Sequence, residues 1–121
     1  MEIRSLDRAA LSPDNSFSQR LVPWPALNAP FEGAWCVVEP NSATTAHAHH
    51  EYEIFIAMSG KGALLSRGER RPFLPGDIVH FPPETDHQVI NESADEEFQF
   101  YALWWDRELS DRFIERHESE G

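Results

Sequence analysis

From Gly33 onward, short apolar and aromatic runs alternate with turn residues. GAWCVVE, ATTAHAH, EYEIFIAM, GALLS, DIVHF, HQVIN and FQFYALWW are rich in β-branched and aromatic side chains, as strands are. Ser59-Gly60-Lys61-Gly62 and Arg67-Gly68 put glycine where hairpin turns need positive φ. Strands cut by turns every roughly 8–12 residues predict a sandwich or barrel rather than βαβ units. Ahead of them, the segment to Asn15 is polar and reads as an arm that must lie on something. Pro23, Pro25, Pro30 and Pro40 then punctuate a stretch with no helical period. Only the end reads as helix: residues 106–117 place Leu109, Phe113 and Ile114 on one stripe. The pattern therefore predicts an all-β barrel with an N-terminal arm and a short C-terminal helix, a single domain over residues 1–121.

Strand parity singles out four residues. In Thr45-Ala46-His47-Ala48-His49, alternation sends both histidines to one face and both alanines to the other. Glu53 shares a face with Phe55 and Ala57, and a carboxylate on an apolar face is costly unless paired or bound to a cation. His87 shares a face with Val89 and Asn91. Three imidazoles and one carboxylate converging in a barrel suit a borderline divalent ion such as zinc, Fe(II), manganese or nickel. Such a set leaves residual positive charge on the ion and room for water or substrate.

The spacing His47-x-His49-x3-Glu53-x6-Gly60, followed by Gly76-x5-Pro82-x4-His87-x3-Asn91, resembles the two-part motif of the cupin superfamily. The resemblance implies a double-stranded β-helix, a jelly-roll barrel, with its core at about 33–105. It also implies that the positions matching the family's ligands, His47, His49, Glu53 and His87, bind a divalent metal. Asn41 and Glu84 stand where the motifs usually carry glycine, which puts loop shape in question rather than metal binding. Small cupins are commonly dimers, so the resemblance implies a homodimer, with Leu21 to Phe31 as the expected contact.

A narrower likeness lies in HAHHEYEIFIAMSGKG, LPGDIVHFPPETDHQVIN and FYALWWD, which are similar to the cupin part of bacterial hydrazine-forming synthetases. There a zinc cupin works with, or is fused to, a methionyl-tRNA-synthetase-like domain and rearranges an ester so that an N–N bond forms. The resemblance thus implies a zinc-assisted enzyme acting on a small polar metabolite, with a synthetase-like partner. Two other readings stay open: an Fe(II) or manganese dioxygenase or isomerase, and a barrel that binds or senses a small molecule without catalysis. A metal-stabilised interaction module is a third.

Composition narrows the partners. Ten basic residues against twenty-one acidic give a net charge of −11, which argues against nucleic acid and anionic membrane as partners. The single cysteine, Cys36, excludes an intrachain disulfide and reads as a small core residue. The first twenty residues hold no apolar stretch resembling a secretion signal, and Ile54 to Met58 is too short to span a bilayer, so a cytoplasmic setting is expected. His80 is expected inside the barrel with a hydrogen-bond partner, and His50 and Glu51 on a solvated loop. In the last strand, Phe98, Phe100, Ala102 and Trp104 share one face and Gln99, Tyr101, Leu103 and Trp105 the other. Gln99 and Tyr101 are the expected polar groups of a substrate pocket.

Overall fold

A computed structural model of the chain describes residues 1–22 and 30–120, with side chains described up to Arg116. Eight strands follow one another: β1 (Ser18–Val22), β2 (Phe31–Val38), β3 (Tyr52–Ser59), β4 (Gly62–Ser66), β5 (Glu69–Phe73), β6 (Ile78–Phe81), β7 (Gln88–Asn91) and β8 (Phe98–Trp105). A helix, α1 (Arg107–Glu120), closes the order. One sheet runs β1-β2-β8-β3-β6 and the other β5-β4-β7, every adjacent pair antiparallel. The two sheets form the expected jelly roll.

Alternation decides what the sheets enclose. Along β3, Glu53, Phe55 and Ala57 are buried while their neighbours are not, and along β8 the buried set is Phe98, Phe100 and Ala102. With Phe73, Val38 and Val89 from other strands, these side chains make one continuous apolar core between the sheets. Gly60 lets the chain pass from one sheet to the other. At φ 95° it sits so close to β8 that a Cβ would lie 2.5 Å from the Glu97 carbonyl oxygen. No side chain fits there. Arg67 and Gly68, both at positive φ, form a two-residue hairpin between β4 and β5, with Ser66 and Glu69 paired across it.

Several boundaries differ from the expected ones, each for a local reason. The run Ala43 to His49 is not a continuous strand. It lies along β7 with only two bridges, Ala43 to Ile90 and His47 to His87. Between them Thr44 interrupts the regular ladder: its hydroxyl oxygen accepts the Val89 N–H at 2.9 Å in place of a backbone carbonyl. The helix begins one residue later than expected, because Asp106 is its cap, its carboxylate accepting the Leu109 N–H at 3.0 Å. It also extends to Glu120 rather than 117. Strands β1 and β5 were not signalled, since Ser-Gln-Arg and Glu-Arg-Arg-Pro lack apolar alternation.

The arm does find something to lie on. Arg8 donates to both carboxylate oxygens of Glu97 at 2.9 Å, Arg4 donates to the Leu21 carbonyl, and Phe17 enters the core. The Leu21–Phe31 segment named for a dimer contact lies for the most part, residues 23–29, outside the described residues. Among the described residues no helix is long and apolar enough to cross a membrane.

Candidate metal centre

His47, His49, Glu53 and His87 converge, each offering one ligand atom within 4.8 Å of the others. Three separate pieces of chain deliver them. Glu53 comes from the inward face of β3, and His87 immediately precedes β7. The two remaining histidines sit on the irregular segment that β7 holds by its backbone. His47 and His87 exchange both backbone hydrogen bonds, at 3.3 and 2.9 Å, so their side chains emerge side by side. Their rings lie 4.7 Å apart.

The hydrogen bonds around the imidazoles fix which nitrogen faces inward. His47 Nδ1 lies 2.8 Å from the Thr45 carbonyl and His87 Nδ1 2.9 Å from that of Thr85. A carbonyl only accepts, so in each ring Nδ1 carries a proton, and in the neutral imidazole Nε2 presents the lone pair. His87 is also clamped by aromatic rings: Phe81 stacks on it at 4.3 Å and Phe55 meets it edge-on at 5.3 Å.

What that lone pair faces is a carboxylate. His87 Nε2 lies 2.7 Å from Glu53 Oε1, with His49 Nε2 at 3.2 Å from the same oxygen. Glu53 and His87 are only 4% and 3% exposed. Neither Glu53 Oε1 nor His87 Nε2 has a hydrogen-bond partner of proper geometry, although both are buried. Buried acceptors facing each other without a donor are costly. A cation between them removes the penalty, so the donor set fits a divalent metal, with the nitrogen and oxygen mix that borderline ions take.

His47, His49 and Glu53 stand at one wall of a cavity of about 340 Å³ between the sheets, and His87 meets it only through Glu53. Phe55, Phe100 and Ala102 give it an apolar floor, and Trp104 continues that face toward the mouth. Cys36 lines it as well. Burial, with the charge of Glu53 adding to it, pushes the Cys36 thiol well above its ordinary value, so it is a neutral wall. The expected core role of Cys36 agrees with its 5% exposure, but one side of it meets the cavity.

Other expected positions fall elsewhere. Gln99 and Tyr101 do not line this cavity: β8 turns Phe100, Ala102 and Trp104 to it, and parity sends Gln99 and Tyr101 to the opposite face. There Gln99 accepts from Trp35 Nε1 at 3.0 Å and Tyr101 packs edge-on against Trp35, over the space that Gly33 leaves open. His80 is exposed on the outer face, stacked on Tyr52, rather than inside the barrel. Glu51, expected in solvent, borders the cavity 3.6 Å from His49 Nδ1. Ser16, Ser18 and Arg20 also line it; they belong to β1 and its approach, which carried no hydrophobic signal.

The two glycine substitutions turn out to preserve the loops. Asn41 and Glu84 adopt φ 57° and 62°, the left-handed conformation that glycine would take there. The Glu84 N–H then reaches the His49 carbonyl at 2.8 Å, tying the second ligand loop to the first.

Residues 34–105 match the family description "Cupin domain". The chain is a cupin. Its barrel is similar to that of a cupin 2 conserved barrel domain protein from Salinispora arenicola, 58% identical, covering 97% of this chain and 98% of that one, with a TM-score of 0.81. A protein of Photorhabdus luminescens is 37% identical over 96% and 97% of the two chains, with a TM-score of 0.78. The DMSP lyase DddQ of Ruegeria pomeroyi, 23% identical over 64% and 39%, shares the fold at a TM-score of 0.58. This cupin thus carries a histidine and glutamate group able to hold a divalent metal beside a small cavity.

Proposed function

We propose that this cupin is a metal-dependent enzyme acting on a small polar metabolite, with His47, His49, Glu53 and His87 holding the ion. The observation that carries the reading is the partnerless buried pair of Glu53 Oε1 and His87 Nε2, set against a cavity of metabolite size. A divalent ion bound there, zinc in our reading, supplies Lewis acidity to a substrate group. The chain's own residues do the rest. Thr45 and Thr85 carbonyls hold the His47 and His87 rings in the tautomer that keeps Nε2 free. Phe55 and Phe81 keep water from the back of His87. The cavity floor excludes water beneath a bound substrate.

Within that class we favour zinc-assisted N–N bond formation alongside a methionyl-tRNA-synthetase-like partner. The likeness of the two motif segments and FYALWWD to the cupin part of hydrazine-forming synthetases supports it.

Elemental analysis of the purified protein beside His49→Ala tests the broad reading. One equivalent of a divalent metal, lost in the variant, is the expected result; no metal, and none taken up on titration, would leave a binding barrel. Zinc supports the finer reading, and iron or manganese redirects the search to oxygen-consuming substrates. The zinc-loaded protein, incubated with a synthetase-like partner, ATP, an amino acid and an N-hydroxylated diamine, should then yield a hydrazine detectable by mass spectrometry.

A further inference from the structure

One row of side chains crosses the cavity face from strand to strand. Glu53 on β3 pairs in register with Trp104 on β8, and Trp104 pairs with Glu32 on β2. Arg20, on β1, reaches back over this row. Its guanidinium carbon lies 5.2 Å from the Trp104 ring centroid, and its Nη1 lies 3.2 Å from Glu32 Oε1. Glu32 is itself anchored, its other oxygen accepting the Trp104 indole N–H at 2.7 Å. These two contacts hold the guanidinium over the Trp104 ring at the edge of the cavity, with much of the side chain open to solvent.

Arg20 is the one cationic side chain among the described residues that line the cavity. Several of the other donors there are already engaged. The Ser18 hydroxyl donates to the Asn15 carbonyl at 2.6 Å, and the Thr44 hydroxyl donates to the Val89 carbonyl at 3.5 Å. The Trp104 N–H points to Glu32. The contact to Glu32 is made by Nη1 at 3.2 Å, and a guanidinium carries five N–H groups, more than the single Glu32 oxygen it faces can take.

We propose that Arg20 determines substrate specificity, binding the carboxylate of a small organic acid whose other end reaches the His47, His49, Glu53 and His87 group. The proposal rests on the metal-dependent reading for that second end only. A carboxylate suits the site better than a phosphate. One guanidinium matches its single charge and planar fork, whereas a doubly charged group would also meet the charges of Glu32 and Glu51.

Calorimetric titration of the metal-loaded protein with malonate, succinate, glutarate and adipate tests this, with succinamide and inorganic phosphate as controls. At least one dicarboxylate should bind more tightly than either control, and Arg20→Gln should weaken it by about tenfold or more. Arg20→Lys, which keeps the charge but loses the fork, should fall between them. It also keeps the comparison open if Arg20→Gln melts early. Binding by none of the four acids, equal binding of succinamide, tighter binding of phosphate, or affinity unchanged by both substitutions would overturn the proposal. Metal content, measured on the same samples, separates the two readings. Arg20-dependent binding in a protein that takes up no metal would sink the metal centre and leave the carboxylate site standing. A normal metal complement without an Arg20 effect would do the reverse.

Discussion

His47 and His87 are paired twice over. Their backbones exchange both hydrogen bonds of an antiparallel bridge, and each ring donates Nδ1–H to the carbonyl two residues before it. The bridge thus sets the position of two of the four candidate ligands, and the two carbonyls set their tautomer. The environments behind the rings differ, however: His47 is exposed, while His87 is sealed between Phe55 and Phe81.

That asymmetry separates ligation from packing. Both His47→Ala and His87→Ala should abolish or strongly weaken metal uptake. In chelator-treated protein, His47→Ala should change stability by less than about 0.5 kcal/mol, as surface substitutions do. His87→Ala leaves a cavity under two aromatic rings and should cost about 2–4 kcal/mol. Urea unfolding of the metal-free variants reads the difference; equal costs would mean that Phe81 collapses into the space or that His47 is more enclosed than its exposure indicates.

Glu53 gives a sharper test of the centre. Glu53→Gln keeps the shape of the side chain and supplies an N–H donor that can satisfy a neighbouring Nε2. Without metal it should be at least as stable as the wild type, because a costly acceptor pair is removed. With metal the order should invert, since binding to the native state alone stabilises the wild type by about 2.7 kcal/mol at a hundredfold excess over Kd. Melting curves with and without added zinc would show the crossing, and parallel shifts in both proteins would count against Glu53 as a ligand.

Parity made much of this centre legible. Glu53 with Phe55 and Ala57, and His87 with Val89 and Asn91, lie on the faces that alternation assigned them. Where both faces of a strand are apolar or aromatic, alternation carries no sign, and β8 is such a strand. The expectation of Gln99 and Tyr101 at the pocket rests on a sign that alternation does not carry, and both lie against Trp35 on the face away from this cavity. The reverse failure hid Arg20 and β1. An edge strand that lines a cavity mouth with Ser18 and Arg20 has a polar inward face, so hydrophobic periodicity passes over it. Thr44 shows a third limit, because its side chain enters the ladder and ends a strand that propensity alone would continue.

Cys36 should behave as a buried thiol despite facing the cavity. Burial first, and the charge of Glu53 second, raise it far above its ordinary range, so almost no thiolate exists at neutral pH. Thiol reagents at pH 7 to 8 should label the native protein orders of magnitude more slowly than the urea-unfolded chain. Rapid native labelling would show that the cavity opens widely at that wall.

Docking of the arm should depend on acid. Arg8, hydrogen-bonding both carboxylate oxygens, holds Glu97 below the usual carboxylate range. A lowered pKa means that the folded state favours the ionised form. The stabilisation is therefore complete above the unfolded value near 4.5 and fades as pH falls through the lower folded value. Both groups are solvent-facing, so the effect is small. Glu97→Gln should melt slightly below the wild type at pH 7, and the gap should close as pH falls below 4.5 and through the lowered folded value. A gap that persists in acid would mean that packing, not the ion pair, holds the arm.

Glu84 and Asn41 occupy left-handed backbone at φ 62° and 57° in the two loops that carry ligands. An L residue pays about 1–2 kcal/mol for that conformation, less for asparagine, whose short polar side chain tolerates it. Glycine removes the penalty but loses about 0.5–1 kcal/mol through the added freedom of the unfolded chain. Glu84→Gly should therefore stabilise the fold by up to about 1 kcal/mol, while Asn41→Gly should be close to neutral. Glu84→Ala separates backbone from side chain: it keeps the strain and loses only the exposed 3.4 Å contact with His50, so its stability should match the wild type. Urea midpoints of the three variants decide the matter. If Glu84→Gly proves destabilising, the hydrogen bond from its N–H to the His49 carbonyl depends on a stiff residue at this position. The glutamate would then be maintaining the ligand loop rather than merely being tolerated in it.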